Sequence, residues 1–247
     1  VTLFSAAVTS NARNKYLFVY FTGNDPHQEQ ISYAVSDDGF NYTPLNGGKP
    51  VVSSDSIART GCVRDPHILR TKNGDYLMVV TDMRSSLGWA SNRGIVLLKS
   101  RDLIHWQHHT VHFPEKYAGK NFANVTRVWA PQTIYDEKAG KYMVYFSLLT
   151  NDGTIPYDRV YWAYANADFS DLEGEPQVLF DFHAPAIDTD IVQDRNGEYH
   201  LFFKTEQEGA HKGIRQYVFR DLHDTASWTL LDGFCEQTKD NVEGAGV

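Results

Sequence analysis

The chain is poor in cysteine: Cys62 and Cys235 are the only two among 247 residues. Two thiols are too few for a disulfide framework. Neither stands in a Cys-x-x-Cys spacing, which argues against a structural zinc site. They read as two unpaired buried thiols. Positive charge is also scarce, with 23 Lys and Arg against 31 Asp and Glu and a formal net charge of -8. A protein that neutralises phosphates needs the opposite surplus, so nucleic acid is excluded as a partner class. No apolar run is long enough to span a bilayer. The opening residues Val1-Thr2-Leu3-Phe4 lack a basic n-region and an apolar h-region, so no cleavable leader is visible. Amphipathic helical stretches are missing as well, which leaves strands to build the core.

Aromatic residues are plentiful: fourteen Tyr, fourteen Phe and five Trp. Flat rings pack well on a pleated sheet. A ring face also suits the C–H face of a sugar.

The chain repeats itself. Four turns lead into a Tyr: Arg13-Asn14-Lys15-Tyr16, Asn73-Gly74-Asp75-Tyr76, Ala139-Gly140-Lys141-Tyr142 and Asn196-Gly197-Glu198-Tyr199. Each precedes an apolar run and reads as a β-hairpin, with Gly or Asn supplying the turn. The spacing is roughly 60 residues, longer than the roughly 40–50 of common propeller repeats. A third strand follows each hairpin, at Ile31–Val35, Gly94–Leu98, Val160–Tyr164 and Ile214–Val218. Polar corners come next, for example Ser36-Asp37-Asp38-Gly39 and Ser100-Arg101-Asp102-Leu103, then a short fourth strand. Trp106, Trp228 and Tyr42 are expected to cap the outer edges of these units. Four-stranded units in tandem predict an all-β propeller of antiparallel blades, one domain over residues 1–247.

In a propeller the first strands converge on the axis. Three candidates are Val63-Arg64-Asp65-Pro66-His67-Ile68-Leu69, Val128-Trp129-Ala130-Pro131-Gln132-Thr133-Ile134 and Ala186-Ile187-Asp188-Thr189-Asp190-Ile191-Val192. A fourth begins at Asn241-Val242-Glu243-Gly244. Singly, Asp65 is a turn residue before Pro, Asp188 a strand-start cap and Glu243 a solvated acid near the last residue. Jointly, Asp65, Asp188 and Glu243 fall at the same or neighbouring places on successive inner strands. Acids converging on one axis repel, so at least one should hold its proton to a higher pH.

In that order, Arg64-Asp65-Pro66-His67-Ile68, Trp129-Ala130-Pro131, Ile187-Asp188-Thr189-Asp190-Ile191 and Val242-Glu243-Gly244 resemble the motifs of glycoside hydrolase family 43. The resemblance extends over essentially the whole chain. It implies a five-bladed propeller whose last blade is incomplete here, suggesting a chain truncated at its C-terminus. It also implies inverting hydrolysis of α-L-arabinofuranosyl or β-D-xylosyl linkages in plant-type polysaccharides. Asp65 matches the general base, Asp188 the acid that tunes its partner, and Glu243 the general acid. Thr189 stands where many members carry Pro, which leaves Asp190 open for the tuning role. Gly244-Ala245 replaces the usual Gly-Pro. Substrate contacts are expected from Arg64, His67, Asp82, Trp89, Trp129, Asp190 and Lys204. The insert from Thr110 to Arg127 is expected to wall the pocket.

No cofactor is required, and no metal ligand is expected, although the resemblance allows a structural calcium or other ion on the axis. The partner is an oligosaccharide or polysaccharide. Location is expected to be secreted or periplasmic rather than cytoplasmic. Two other readings stand beside this one: a non-catalytic sugar-binding propeller, and a related propeller acting on fructosides or as a glycoside phosphorylase. Asn24-Asp25-Pro26 is superficially like a sucrose-type motif but is read as the loop after a second strand.

Overall fold

The computed structural model describes residues 15–246 except 152, 154, 237 and 239. Arg13 and Asn14 of the first expected turn lie outside the described residues. The chain forms one three-stranded and three four-stranded antiparallel sheets, each in sequence order. Blade 1 holds β1 (Tyr16–Tyr20), β2 (Ser32–Ser36) and β3 (Thr43–Pro44). Blade 2 holds β4 (Val63–Arg70), β5 (Tyr76–Asp82), β6 (Gly94–Ser100) and β7 (Trp106–His112). Blade 3 holds β8 (Val125–Asp136), β9 (Lys141–Thr150), β10 (Arg159–Tyr164) and β11 (Gln177–Phe180). Blade 4 holds β12 (Ala186–Gln193), β13 (Tyr199–Thr205), β14 (Ile214–Phe219) and β15 (Thr229–Leu230). The expected propeller is therefore present, with four blades among the described residues. Residues 241–246 form no strand, because no described neighbour offers them a ladder.

Apolar residues alternate along the strands and seal adjacent blades face to face. Val19, Tyr33, Met78 and Val96 pack between blades 1 and 2. Val79, Leu97, Val144 and Phe146 pack between blades 2 and 3. Met143, Tyr145, Leu201 and Phe203 do the same between blades 3 and 4. Each strand thus buries one face against each neighbour, so the middle strands are mostly apolar.

The polar corners close as the sequence implies. Asp38 Oδ1 accepts the N–H groups of Phe40 and Asn41, both at 2.8 Å. Asp102 Oδ1 repeats the pattern with Ile104 and His105. Trp106 Nε1 donates to the Leu103 carbonyl and Trp228 Nε1 to that of Asp221, locking the outer edges.

Two expectations are corrected. The segment from Thr110 to Arg127 extends β7 and forms a short helix, and its Phe113 and Tyr117 enter the core between blades 2 and 3. It is packing rather than a pocket wall, Arg127 excepted. Cys62 is buried, whereas Cys235 is exposed; both are free thiols.

Candidate active site

The three inner strands share one irregularity. Register slips between Arg64 and His67, between Trp129 and Gln132, and between Ile187 and Asp190. At each bulge one non-glycine residue takes a left-handed backbone: Asp65 (φ 51), Ala130 (φ 46) and Asp188 (φ 52). Such a conformation is uncommon for non-glycine residues and costs on the order of 1–3 kcal/mol. A bulge bends the strand and re-aims its side chain. Here the device recurs once per blade and delivers Asp65 and Asp188 to a common centre. Blade 3 carries Ala130 at the equivalent place, so its contribution is a backbone N–H and no charge.

The carboxyls feel one another. Burial raises the Asp188 carboxyl to about 7, and the charges of Asp65 and Glu243 add to the rise; the Gly244 N–H and Lys204 oppose it. Burial also raises the Asp65 carboxyl, against hydrogen bonds from Thr81 and Ala130 and the charge of Arg64. The Gly244 N–H donates to Asp188 Oδ2 at 3.1 Å, which fastens the Glu243 segment to β12. Lys204 Nζ donates to Glu243 Oε2 at 2.7 Å and to Glu206 Oε1 at 2.9 Å. The structure therefore brings all three predicted acids together. It places the raised carboxyls on Asp65 and Asp188, and the lysine on Glu243.

Beside them lies a hollow of about 340 Å³ lined by Trp89, Arg127, Trp129, Asp158, Pro185, Ile187 and Glu206. Trp129 Nε1 is buried without a hydrogen-bond partner. Arg127 lies over the Trp129 ring at 4.9 Å, and its Nε donates to Asp158 Oδ1 at 2.9 Å. A larger hollow of about 840 Å³ lies at the other end of β4, between blades 1 and 2; the three acids line neither hollow, but the smaller one is lined by Ile187, next to Asp188, and by Glu206, which shares Lys204 with Glu243.

The predicted contacts divide. Trp89 and Trp129 line the hollow. Arg64 lies between Phe21 and Trp89, with its guanidinium 4.5 and 5.3 Å from the ring centroids. Arg64 is also committed to Glu29, which is fully buried (3.1 Å), and to Asn24 (2.7 Å). The Asn24-Asp25-Pro26 loop thus supports the site's rim. His67 Nδ1 accepts the Thr133 N–H at 3.2 Å, linking blades 2 and 3, and burial lowers the ring's pKa to about 4.

Two contacts are corrected. Asp82 is buried and does not line the hollow. It accepts the N–H groups of Arg59 and Thr60 and the Thr60 hydroxyl, so it anchors a turn. Asp190 is buried between blades 3 and 4. With the Gln132 amide turned so that both its ends are satisfied, its nitrogen donates to Asp190 Oδ1 at 2.6 Å and to the Thr189 carbonyl at 3.0 Å. Regular alternation would put Asp190 on Asp188's side; the bulge between Ile187 and Asp190, with Asp188 in a left-handed backbone, breaks that alternation.

Sequence reasoning missed Arg127, Asp158, Glu29 and Thr81. Arg127 and Trp129 are two apart on one strand, and that was the one usable signal. Asp158, Glu29 and Thr81 reach the site from other segments, which no local pattern announces. Among the described residues no three or more His, Cys, Asp or Glu side chains are arranged to hold a metal.

A family model described as a probable glycosyl hydrolase domain, related to family 43, matches residues 11–247. The chain belongs to the glycoside hydrolase family 43 group. An α-L-arabinofuranosidase of Bifidobacterium longum is 30% identical over 207 residues, 76% of this chain. The chain spans only 19% of that relative's length. Among solved structures, an α-L-arabinofuranosidase of Clostridium thermocellum aligns with a TM-score of 0.64 at 14% identity, covering 96% of this chain and 74% of that one. An endo-arabinase of Bacteroides thetaiotaomicron also gives 0.64, at 15% identity over 91% of this chain and 77% of its own. At such identities the likeness concerns the fold.

Proposed function

We propose that this family 43 chain is the catalytic propeller of an inverting glycoside hydrolase acting on α-L-arabinofuranosyl or β-D-xylosyl linkages. The observation that carries the reading is the meeting of Asp65, Asp188 and Glu243 beside a tryptophan-lined hollow. The name of the Bifidobacterium longum relative favours the arabinofuranosyl side.

In this reading Asp65 is the general base. It takes a proton from water as that water attacks the anomeric carbon. Glu243 gives a proton to the departing glycosidic oxygen from the opposite side. Inverting pairs stand roughly 6.5–9.5 Å apart, which leaves room for the water. Asp188 positions the Glu243 segment through Gly244 and sets the charge beside it. An ion pair with Lys204 is not the arrangement in which a carboxyl donates a proton. Lys204 must therefore swing to Glu206, its second partner, as substrate enters. The Trp129 ring and its indole N–H would receive the sugar.

The test is turnover of 4-nitrophenyl α-L-arabinofuranoside, 4-nitrophenyl β-D-xyloside and sucrose side by side, with NMR following the anomer first released. Inverted arabinose or xylose supports the reading. A retained anomer, or turnover of sucrose alone, overturns it. Oligosaccharide binding without turnover supports a binding module instead.

A further inference from the structure

We propose that Thr81 is the positioning residue of the Asp65 carboxylate; this rests on the reading of Asp65 as general base. Thr81 lies on β5, fully buried, and pairs with Arg64 across the ladder just before the bulge. The Ala130 N–H donates to Thr81 Oγ1 at 2.9 Å. Thr81 Oγ1 in turn donates to Asp65 Oδ2 at 2.7 Å. A hydroxyl has one hydrogen, and a backbone N–H can only donate. The Ala130 contact therefore fixes Thr81 as acceptor there, and its single hydrogen is committed to Asp65. Thr81 thus holds Oδ2 from behind, and the Ala130 N–H, close to the same carboxyl, also favours its charged form.

Matching positions in the other blades show that the arrangement is particular to this acid. The residues paired opposite the bulge are Thr81 with Arg64, Ser147 with Trp129 and Lys204 with Ile187. Thr81 reaches the next blade's Ala130 and its own blade's acid. Lys204 reaches forward to Glu243. Ser147 Oγ is buried with no partner. Only the blade carrying Asp65 combines a hydroxyl with an acid at the bulge. The left-handed Ala130 also acquires a purpose: its bulge points an N–H across the blade boundary at Thr81.

The charged and titratable groups around Asp65 are Arg64 and His67 on its own strand, Asp188 on β12 and Glu243. None of them replaces a short neutral donor held from behind. Placement of a reacting group matters steeply, because a misplacement of about 1 Å costs roughly 10²-fold in rate.

The experiment compares Thr81→Val, which keeps the shape and loses the hydroxyl, with Thr81→Ser, which keeps the hydroxyl. Both are made in the full chain and checked by thermal unfolding. On whichever aryl glycoside the parent turns over, T81V should lose roughly 10- to 100-fold in kcat with KM little changed. T81S should stay within about threefold. In parallel, ¹³C-labelled aspartate NMR follows the Asp65 carboxyl, which should titrate higher in T81V and nearly unchanged in T81S. Equal loss in both variants, or an unmoved Asp65 titration in T81V, overturns the proposal. If the parent turns over no glycoside, the functional reading fails while the titration still decides the role of Thr81. If T81V does not fold, Thr81→Ala is read in the same way.

Discussion

The two sides of this site are built differently. On the blade 2–3 side, Asp65 is enclosed, gripped by Thr81, and backed by the His67 contact to Thr133. On the blade 4 side, Glu243 sits on a segment without strand pairing, its side chain 63% exposed, held by Lys204 and by the Gly244 contact to Asp188. One side is set by packing and the other by charge. The comparison teaches that the two acids are held by different means, one by a neutral hydroxyl on the adjacent strand and one by a lysine.

The largest expected effect tests the enclosed side. Asp65→Asn should lower kcat on the order of 10³-fold while leaving unfolding by urea unchanged in slope. Near-full activity in D65N would place the base elsewhere. On the open side, Glu243→Gln should cost roughly 10²–10⁴-fold on unactivated oligosaccharides and far less on 4-nitrophenyl glycosides, whose leaving group needs little protonation. Equal losses on both substrates would remove Glu243 from the acid role.

Asp82 distinguishes packing from chemistry. Asp82→Ala leaves the Arg59 and Thr60 donors without their buried acceptor. It should destabilise the fold by about 3 kcal/mol, measured by urea unfolding, with kcat of the folded fraction unchanged. A selective loss of kcat would return Asp82 to the substrate contacts.

The pH predictions run in opposite directions. Asp188 binds its proton up to about 7 in the folded chain, against 3.8 for an ordinary Asp. The folded state thus holds more protons than the unfolded state within that window, and this group's contribution to stability falls as pH rises through it. Asp188→Asn should raise Tm relative to the parent at pH 8 and give no gain below pH 4. His67 is lowered to about 4 from 6.5, so the unfolded state holds more protons between those values. Its contribution is complete above about pH 6.5 and is lost as pH falls towards 4. His67→Gln should flatten the acid limb of the Tm profile, a smaller effect than that of D188N. A parallel shift of the whole profile in either variant would assign the change to packing.

Much of this architecture was legible before any coordinates. Gly and Asn before Tyr76, Tyr142 and Tyr199 marked hairpins, and alternating apolar runs marked the strands they join. Trp106 and Trp228 could be placed at blade edges because each follows a polar corner. The left-handed bulges were not legible, since Asp65, Ala130 and Asp188 share no residue type that demands a positive φ. Asp82 and Asp190 were misassigned because an acid at a strand end looks the same whether it faces a pocket or caps a turn.

By itself, the sequence determined the strand content, the tandem blades and the order of three acids along the chain. These are matters of local turn chemistry and alternation, which act over a few residues. Only the tertiary structure decided which acids share one electrostatic field, that Thr81 grips Asp65, and that Lys204 stands on Glu243. Those relations join residues on neighbouring strands or on different segments far apart in the chain. They depend on burial and direction, which no spacing along a chain encodes.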